Sequence, residues 1–273
     1  MLYLEQARRT PFAPGLFAGQ VAIVTGGGTG IGRATAEELL ALGAKVAIAS
    51  RKPEHLDPAL AELGPRGEVM AVRCDIRQPE EVAHLVDEVL ARWGRIDVLV
   101  NNAGGQFPSP AAALTPKGWD AVIRNNLNGT FYMTREVAVR EMIPQRRGAI
   151  VNVIAAMQRG FPGMAHTGAA RAGVENLTKS LAVEWAEHDV RVNAVAPGII
   201  VSSGTAQYGE ALVEAARQYT PQKRVGTIEE VAHAICYLAS PAAAFITGIT
   251  LAIDGGKALW GDIWPIPERT HQG

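Results

Sequence analysis

Cysteine is scarce in this chain, and the patterns that would mark several classes of protein are missing. The 273 residues contain only Cys74 and Cys236, with no CxxC pair and no Cys/His cluster. This excludes a disulfide scaffold and a zinc module, and we expect no metal site. No apolar run approaches the roughly 18 residues that span a bilayer, and the first residues lack the basic-then-apolar order of a secretory signal. We therefore expect a soluble, intracellular protein with no membrane segment.

Neither sign of charge is in excess. Lysine and arginine total 26 against 27 aspartate and glutamate residues, which leaves a formal net charge of -1. Such a balance gives no overall attraction to nucleic acid or to an anionic membrane, so we expect neither as a partner. Hydrophobic residues make up 48% of the chain. That share is enough for a sizeable buried core and excludes a disordered or fibrous protein.

Short apolar runs alternate with longer amphipathic stretches along the sequence. In residues 80–93 the apolar side chains recur at the spacing of one helix face. Continuous apolar strands separated by helices predict an α/β fold with a doubly wound parallel sheet that helices cover on both faces. We predict one domain over residues 19–256, an amino-terminal arm over 1–18 and a tail over 257–273. The predicted strands are 21–25, 45–49, 69–73, 98–101, 150–153, 191–196 and 250–253.

A glycine-rich loop lies between the first predicted strand and the first predicted helix. Residues 25–32 read Thr-Gly-Gly-Gly-Thr-Gly-Ile-Gly. Glycines permit positive φ and close approach of the backbone to a pyrophosphate, and the amino terminus of the helix offers free N–H groups. At the first strand-to-helix turn this pattern predicts a dinucleotide site. The residues that we assign to the cofactor here are Gly26, Gly28, Thr29, Gly30 and Ile31.

The end of the second predicted strand indicates which dinucleotide binds. NAD-preferring sites commonly place an acidic residue there for the ribose hydroxyls, but this chain has Ser50, Arg51 and Lys52. Arg51, together with Ser50 and Lys52, can bind a 2′-phosphate through charge-assisted hydrogen bonds. We therefore predict NADPH as the cofactor. The alternative is that Arg51 and Lys52 form a solvated loop pair.

Further motifs extend the pattern: Asn-Asn-Ala-Gly at 101–104, Asn-Leu-Asn-Gly-Thr-Phe at 126–131, and Pro-Gly at 197–198. Together with the glycine loop they resemble the short-chain dehydrogenase/reductase family over nearly the whole chain. The resemblance implies a Rossmann fold with a seven-stranded parallel sheet, and commonly a homotetramer. It also implies cofactor contacts from Asp75, Ile76, Asn102, Ala103, Gly104, Pro197, Gly198 and Ile199.

The three residues that carry acid-base chemistry in that family are replaced here. Ala155 stands where the family has its serine, Thr167 replaces the tyrosine and Arg171 replaces the lysine. A threonine hydroxyl is a far weaker acid than a phenol, so ordinary ketone reduction is disfavoured. Arg171 can still donate forked hydrogen bonds to the nicotinamide ribose.

The segment 166–179 resembles the peroxisomal trans-2-enoyl-CoA reductase branch of the family, with the 2,4-dienoyl-CoA reductases nearby. This resemblance implies NADPH-dependent reduction of the carbon–carbon double bond of a trans-2-enoyl-CoA in fatty acid metabolism. The alternatives are 2,4-dienoyl-CoA reduction and a non-catalytic NADPH-binding protein. The last three residues lack a Ser-Lys-Leu peroxisomal address, so we expect a cytoplasmic location.

Candidate catalytic residues follow from the same resemblance. We expect Thr167 to bind the thioester oxygen, with capping of the following helix as its other role. Asn126 is expected to hold a water that relays the proton. Tyr132 matches a proposed proton donor of the branch, although six residues of straight helix beyond Asn126 aim it elsewhere, which makes a core or interface tyrosine an equal alternative.

Other candidates lie around the expected substrate. Tyr208 belongs to a Gly/Ser-rich stretch, residues 202–209, and is either a closing residue or an exposed loop aromatic. We treat His166 as a turn histidine. The candidate contacts for CoA phosphates are Arg124, Arg159 and Lys223.

Overall fold

Strands alternate with helices through the computed structural model, which describes residues 10–201 and 209–260, with only the backbone for 209–213. The strands are β1 (Val21–Thr25), β2 (Lys45–Ser50), β3 (Val69–Arg73), β4 (Val98–Asn101), β5 (Gly148–Val153), β6 (Val190–Pro197), β7 (Ile200–Val201), β8 (Gly226–Thr227) and β9 (Thr250–Ile253). All seven predicted strands are present. Those that differ, β2, β5 and β6, are one or two residues longer, because pairing with their neighbours extends to Ser50, Gly148 and Pro197.

The α-helices of the described residues are α1 (Gly30–Ala41), α2 (Pro53–Leu63), α3 (Pro79–Trp93), α4 (Pro116–Ile123), α5 (Gly129–Val137), α6 (Ala165–Glu184), α7 (Gly209–Gln218) and α8 (Ile228–Ala239). Between α4 and α5 lies a π-helical segment, Arg124–Asn128, and a second one, Ala138–Met142, follows α5. The wider π turn changes the direction of side chains relative to a regular α-helix, and the expected direction of Tyr132 assumed a straight helix.

The main sheet has seven strands in the order β3-β2-β1-β4-β5-β6-β9, and every neighbouring pair is parallel. The fold class and the seven-stranded sheet are therefore confirmed. The order of the strands reverses between β1 and β4, and in such sheets ligands bind beyond the carboxyl ends of the strands at this switch point. A separate pair of short parallel strands, β7 and β8, lies apart from the sheet.

The hydrophobic core consists of a layer on each face of the sheet. In β1, Ala22 and Val24 face the layer under α1 and α8, whereas Val21 and Ile23 face the layer under α3, α5 and α6. Both cysteines are buried free thiols. Burial raises the pKa of the Cys74 thiol to about 12 and that of Cys236 well above its ordinary value.

The described part of the amino-terminal arm packs on the core. The Phe17 side chain is fully buried, and its backbone N–H donates to the Leu42 carbonyl at 2.9 Å. Phe12 and Leu16 pack partly buried on the same layer. The boundaries of arm, domain and tail stay a prediction.

A chain of buried side-chain hydrogen bonds crosses the middle of the sheet. Asn101 Nδ2 donates to Thr134 Oγ1 at 2.8 Å and to Asn152 Oδ1 at 2.9 Å. Asn152 Nδ2 then donates to Thr178 Oγ1 at 2.9 Å. The chain joins α5 to β4, β5 and α6, and it fixes the two helices that bear on the site.

Asn152→Ala should cost about 3 kcal/mol of unfolding free energy, since it leaves Asn101 and Thr178 buried without one of their partners. Urea denaturation followed by circular dichroism measures the change, with an unchanged m value. Asn176→Ala, on the exposed face of α6, is the matched control. Equal losses in the two variants would contradict the structural role of the chain.

Candidate active site

The glycine loop connects β1 to α1 at the switch point. Gly26 has φ +66°, and a Cβ added there would lie 2.8 Å from Asn102 Nδ2. Only glycine therefore fits between the loop and the end of β4. The close packing leaves the backbone of Gly28, Thr29, Gly30 and Ile31 at the amino terminus of α1, where the N–H groups of a helix bind anions.

Thr25 ties the glycine loop to the segment after β4. Its Oγ1 accepts the backbone N–H groups of Asn102 and Ala103, both at 3.0 Å. Asn102 Nδ2 in turn donates to the Thr25 carbonyl at 3.0 Å. The structure thereby brings the predicted residues of both motifs together at the carboxyl ends of β1 and β4.

Arg171 lies at the centre of the site, on α6. Its Nη1 donates to the Val153 carbonyl at 2.8 Å, at the end of β5. The side chain is buried, and burial lowers the pKa of Arg171 to about 10. Among the described residues it pairs with no carboxylate. A buried cation without an anionic partner is costly, so a ligand is expected to supply the missing acceptors.

Asn126 and Gly104 pack against Arg171. A Cβ at Gly104 would meet Arg171 Nη2 and would lie 2.7 Å from Asn126 Oδ1. Asn126 lies in the π-helical segment; its Nδ2 donates to the carbonyls of Gly105 at 2.8 Å and Val122 at 2.9 Å. Both amide hydrogens are thus used, one on the loop after β4 and one on α4, which favours a positioning role over holding a water.

The predicted residues for the adenosine half lie at the ends of β2 and β3. Arg51 is exposed, and Ser50 Oγ accepts the Lys52 backbone N–H at 3.2 Å. Asp75 binds Arg77 through both carboxylate oxygens, and this contact holds the pKa of Asp75 below its ordinary value. Ile76 is buried. These positions flank the glycine loop from the next strands of the sheet.

A cavity of about 800 Å³ opens beside this arrangement. Its lining includes Arg171, Asn102, Gly104 and the segment Pro197, Gly198 and Ile199. Residues 153–162 and Met164 also line it and are mostly apolar, with Ala155 in the place expected for a serine. The cavity therefore suits a nicotinamide group and an apolar substrate side by side.

Other predicted catalytic residues do not line this cavity. Thr167 is fully buried on α6, and its Oγ1 has no hydrogen-bond partner among the described residues. Tyr132 packs partly buried on the core layer, and the centroid of its ring lies 6.1 Å from that of Phe131. The buried His166 accepts the Thr167 backbone N–H at its Nδ1, and the Phe107 ring stacks edge-on against it. Tyr208 lies outside the described residues.

The cavity also includes residues that the sequence did not single out: Tyr219, Lys257 and Trp260. They follow α7 and β9, and their sequence contains no motif that would have indicated them. Of the candidate CoA contacts, Arg159 lines the cavity, Arg124 does not, and Lys223 lies over the Trp260 ring at 5.2 Å.

A family model described as enoyl-(acyl carrier protein) reductase matches residues 26–258. The chain belongs to the short-chain dehydrogenase/reductase family. Its members use nicotinamide cofactors, and the chain is accordingly an oxidoreductase of this family. Within the described residues, no helix is long and apolar enough for a membrane span and no acidic, cysteine or histidine cluster suits a metal ion.

Similar proteins are named for different activities. The chain is 40% identical to a peroxisomal 2,4-dienoyl-CoA reductase of Danio rerio, over 91% of this chain and 84% of the relative. It is 41% identical to a 3-oxoacyl-[acyl-carrier-protein] reductase of Synechocystis, over 88% and 98%. A solved structure of a citronellol catabolism dehydrogenase, AtuB of Pseudomonas aeruginosa, matches with 50% identity and a TM-score of 0.82, over 91% and 99%.

Arg171→Met should leave the melting temperature of the free protein unchanged or higher, because it removes a buried charge at similar volume. The rise of about 5–10 °C expected from a saturating nicotinamide dinucleotide should disappear. Differential scanning fluorimetry with and without the dinucleotide measures both effects. Arg171→Lys is the control and should keep part of the rise. A large loss of ligand-free stability with the rise intact would mean a structural arginine.

Proposed function

We propose that this chain reduces the carbon–carbon double bond of a trans-2-enoyl-CoA with NADPH. The observation that carries the proposal is a cavity that contains the buried Arg171 but has Ala155, and no tyrosine at position 167, where ketone chemistry needs its acid. Ketone reduction concentrates charge on one oxygen and protonates it. Reduction of a conjugated double bond adds hydride to the β carbon and spreads the charge into an enolate, which then takes a proton at the α carbon from water. A hydrogen-bond donor at the thioester oxygen is sufficient to stabilise this enolate.

The residues around the cavity fit a nicotinamide cofactor, since the glycine loop leads into the amino terminus of α1 and the buried Arg171 pairs with no carboxylate among the described residues. The bound cofactor supplies a hydride. Arg171 would hold the nicotinamide ribose by hydrogen bonds, and its bond to the Val153 carbonyl fixes the guanidinium at the end of β5. Thr167 is the candidate donor to the thioester oxygen; because its Oγ1 is buried and does not line the cavity, this role would need a bridging water.

The preference for NADPH depends on the end of β2. Lys52 lies 3.8 Å from Glu54, whereas Arg51 is exposed and has no ion-pair partner among the described residues. Its guanidinium is therefore available for a 2′-phosphate. Positions 50–52, at the end of β2, hold no acidic residue to bind a ribose hydroxyl instead.

Arg51→Asp should weaken NADPH binding by about 10–100-fold, because a charge-assisted contact is replaced by repulsion. NADH binding should be equal or tighter. Dissociation constants from cofactor fluorescence titrations give the ratio, with Arg92→Asp on the exposed face of α3 as the control. An unchanged ratio of NADPH to NADH affinity would exclude Arg51 from cofactor selection.

The reaction itself is tested with purified protein, NADPH and trans-2-decenoyl-CoA, with mass spectrometry of the product. A saturated acyl-CoA is expected in step with NADPH loss. Thr167→Val should lower kcat about tenfold or more and leave the KM for NADPH unchanged, and Thr167→Ser should restore kcat. Full turnover by Thr167→Val together with loss in Arg171→Ala would assign the chemistry to the arginine alone. Tyr132→Phe tests the remaining candidate donor in the same assay.

A 2,4-dienoyl-CoA is the alternative substrate, and the similarity to the 2,4-dienoyl-CoA reductase of Danio rerio supports this alternative. The hydride transfer is the same, but the charge extends over a dienolate. A 2,4-decadienoyl-CoA assayed beside the enoyl-CoA compares the two through kcat/KM. Tight NADPH binding without turnover of either substrate would favour the non-catalytic alternative.

A second candidate function is dehydrogenation of an acyclic terpenoid alcohol, which the 50% identity to the citronellol catabolism dehydrogenase favours. The replaced tyrosine argues against it. Incubation of the protein with citronellol and NADP⁺ should produce the absorbance of NADPH only if the chain catalyses this dehydrogenation.

We also propose a cytoplasmic homotetramer. Phe131, Val183 and Phe245 are exposed apolar side chains on separate elements, and such surfaces support association between copies of one chain.

A further inference from the structure

The cavity has a rim that combines cations with aromatic rings. Arg159, in the segment between β5 and α6, and Lys257, after β9, lie on this rim. Tyr219 and Trp260 line the same cavity. We call these four residues the cavity rim.

Neither rim cation has an acidic partner among the described residues. Asp254 is the acidic residue that lines the cavity, and both of its carboxylate oxygens are occupied. Oδ1 accepts the Gly256 backbone N–H at 2.9 Å and Oδ2 that of Ala258 at 2.8 Å. Asp254 remains an anion, but the charged residues that line the cavity are three cations, Arg159, Arg171 and Lys257, and this one carboxylate. Positive charge therefore predominates in the cavity, although the whole chain carries a formal charge of -1.

Tyr219 is 60% exposed, although hydrogen bonds hold the backbone around it. The next residue, Thr220, is buried, and its Oγ1 donates to the Ala216 carbonyl at 2.7 Å. Gln222 N–H also donates to the Gly255 carbonyl at 3.3 Å. A fixed backbone thus presents an exposed aromatic ring at the mouth of the cavity, as a stacking surface requires.

We propose that the cavity rim binds the nucleotide end of a coenzyme A thioester. Arg159 and Lys257 bind its phosphates, and Tyr219 and Trp260 provide surfaces for its adenine. The acyl chain then extends toward the apolar lining and Arg171. This inference rests on the proposed function of the same cavity and specifies the carrier. An acyl carrier protein presents phosphopantetheine without adenine, so it leaves the rings unused.

The kinetic test compares a trans-2-enoyl-CoA with the matching 3′-dephospho-CoA, pantetheine and acyl-carrier-protein thioesters at saturating NADPH. Arg159→Glu and Lys257→Glu should each raise the KM for the CoA thioester roughly tenfold and change that of the pantetheine thioester less than about twofold. The KM of the wild type for the CoA thioester should rise with salt, and this dependence should weaken in both variants. Arg92→Glu is the control.

A binding test separates this inference from the proposed reaction. Calorimetric titration of coenzyme A into the NADPH-saturated protein should show binding that either charge reversal weakens about tenfold and Tyr219→Ala weakens severalfold. This holds whether or not a thioester is reduced. Three outcomes would each overturn the rim proposal: no coenzyme A binding at millimolar concentration, equal effects on CoA and pantetheine thioesters, or preference for the acyl-carrier-protein thioester. Failure of reduction with coenzyme A bound normally would overturn only the proposed reaction.

Discussion

The hydrogen-bonded chain Thr134–Asn101–Asn152–Thr178 is the interaction on which the site depends. Asn101 directly precedes Asn102, which braces the glycine loop, and Thr178 lies two helical turns beyond Arg171 on the same face of α6. The two halves of the site come from segments far apart in sequence. A buried polar chain of this kind has few alternative pairings, so it fixes their relative positions more narrowly than apolar packing does.

The sequence predicted the fold because the strands are short, mostly apolar runs and the longer stretches between them leave room for helices, with a clear apolar face in α3. The glycine loop could also be predicted, since its function depends on backbone conformation, which the local glycine pattern determines. Arg171 was found through its alignment with a family lysine. Its burial without a carboxylate was not predictable, because that depends on residues from β4, the π-helical segment and β5 meeting at one point.

The cavity rim and the burial of the Thr167 hydroxyl could not be predicted from the sequence either, because both depend on contacts between distant segments. Tyr219, Lys257 and Trp260 become neighbours only when the segments after α7 and β9 meet. Threonine is shorter than the tyrosine it replaces, so a matching helix position does not bring its hydroxyl to the cavity. The π-helical segment that carries Asn126 also lacks a sequence signature, which is why a straight-helix argument gave an incomplete account of Tyr132.

The burial of both thiols determines how the protein responds to thiols and disulfides in its surroundings. Thiol–disulfide exchange requires an accessible thiolate, and burial both shields Cys74 and Cys236 and keeps them protonated at neutral pH. A protein that works beside high concentrations of small thiols and their mixed disulfides thus offers them no site of attack. The folded state therefore does not change with the ratio of thiol to disulfide around it.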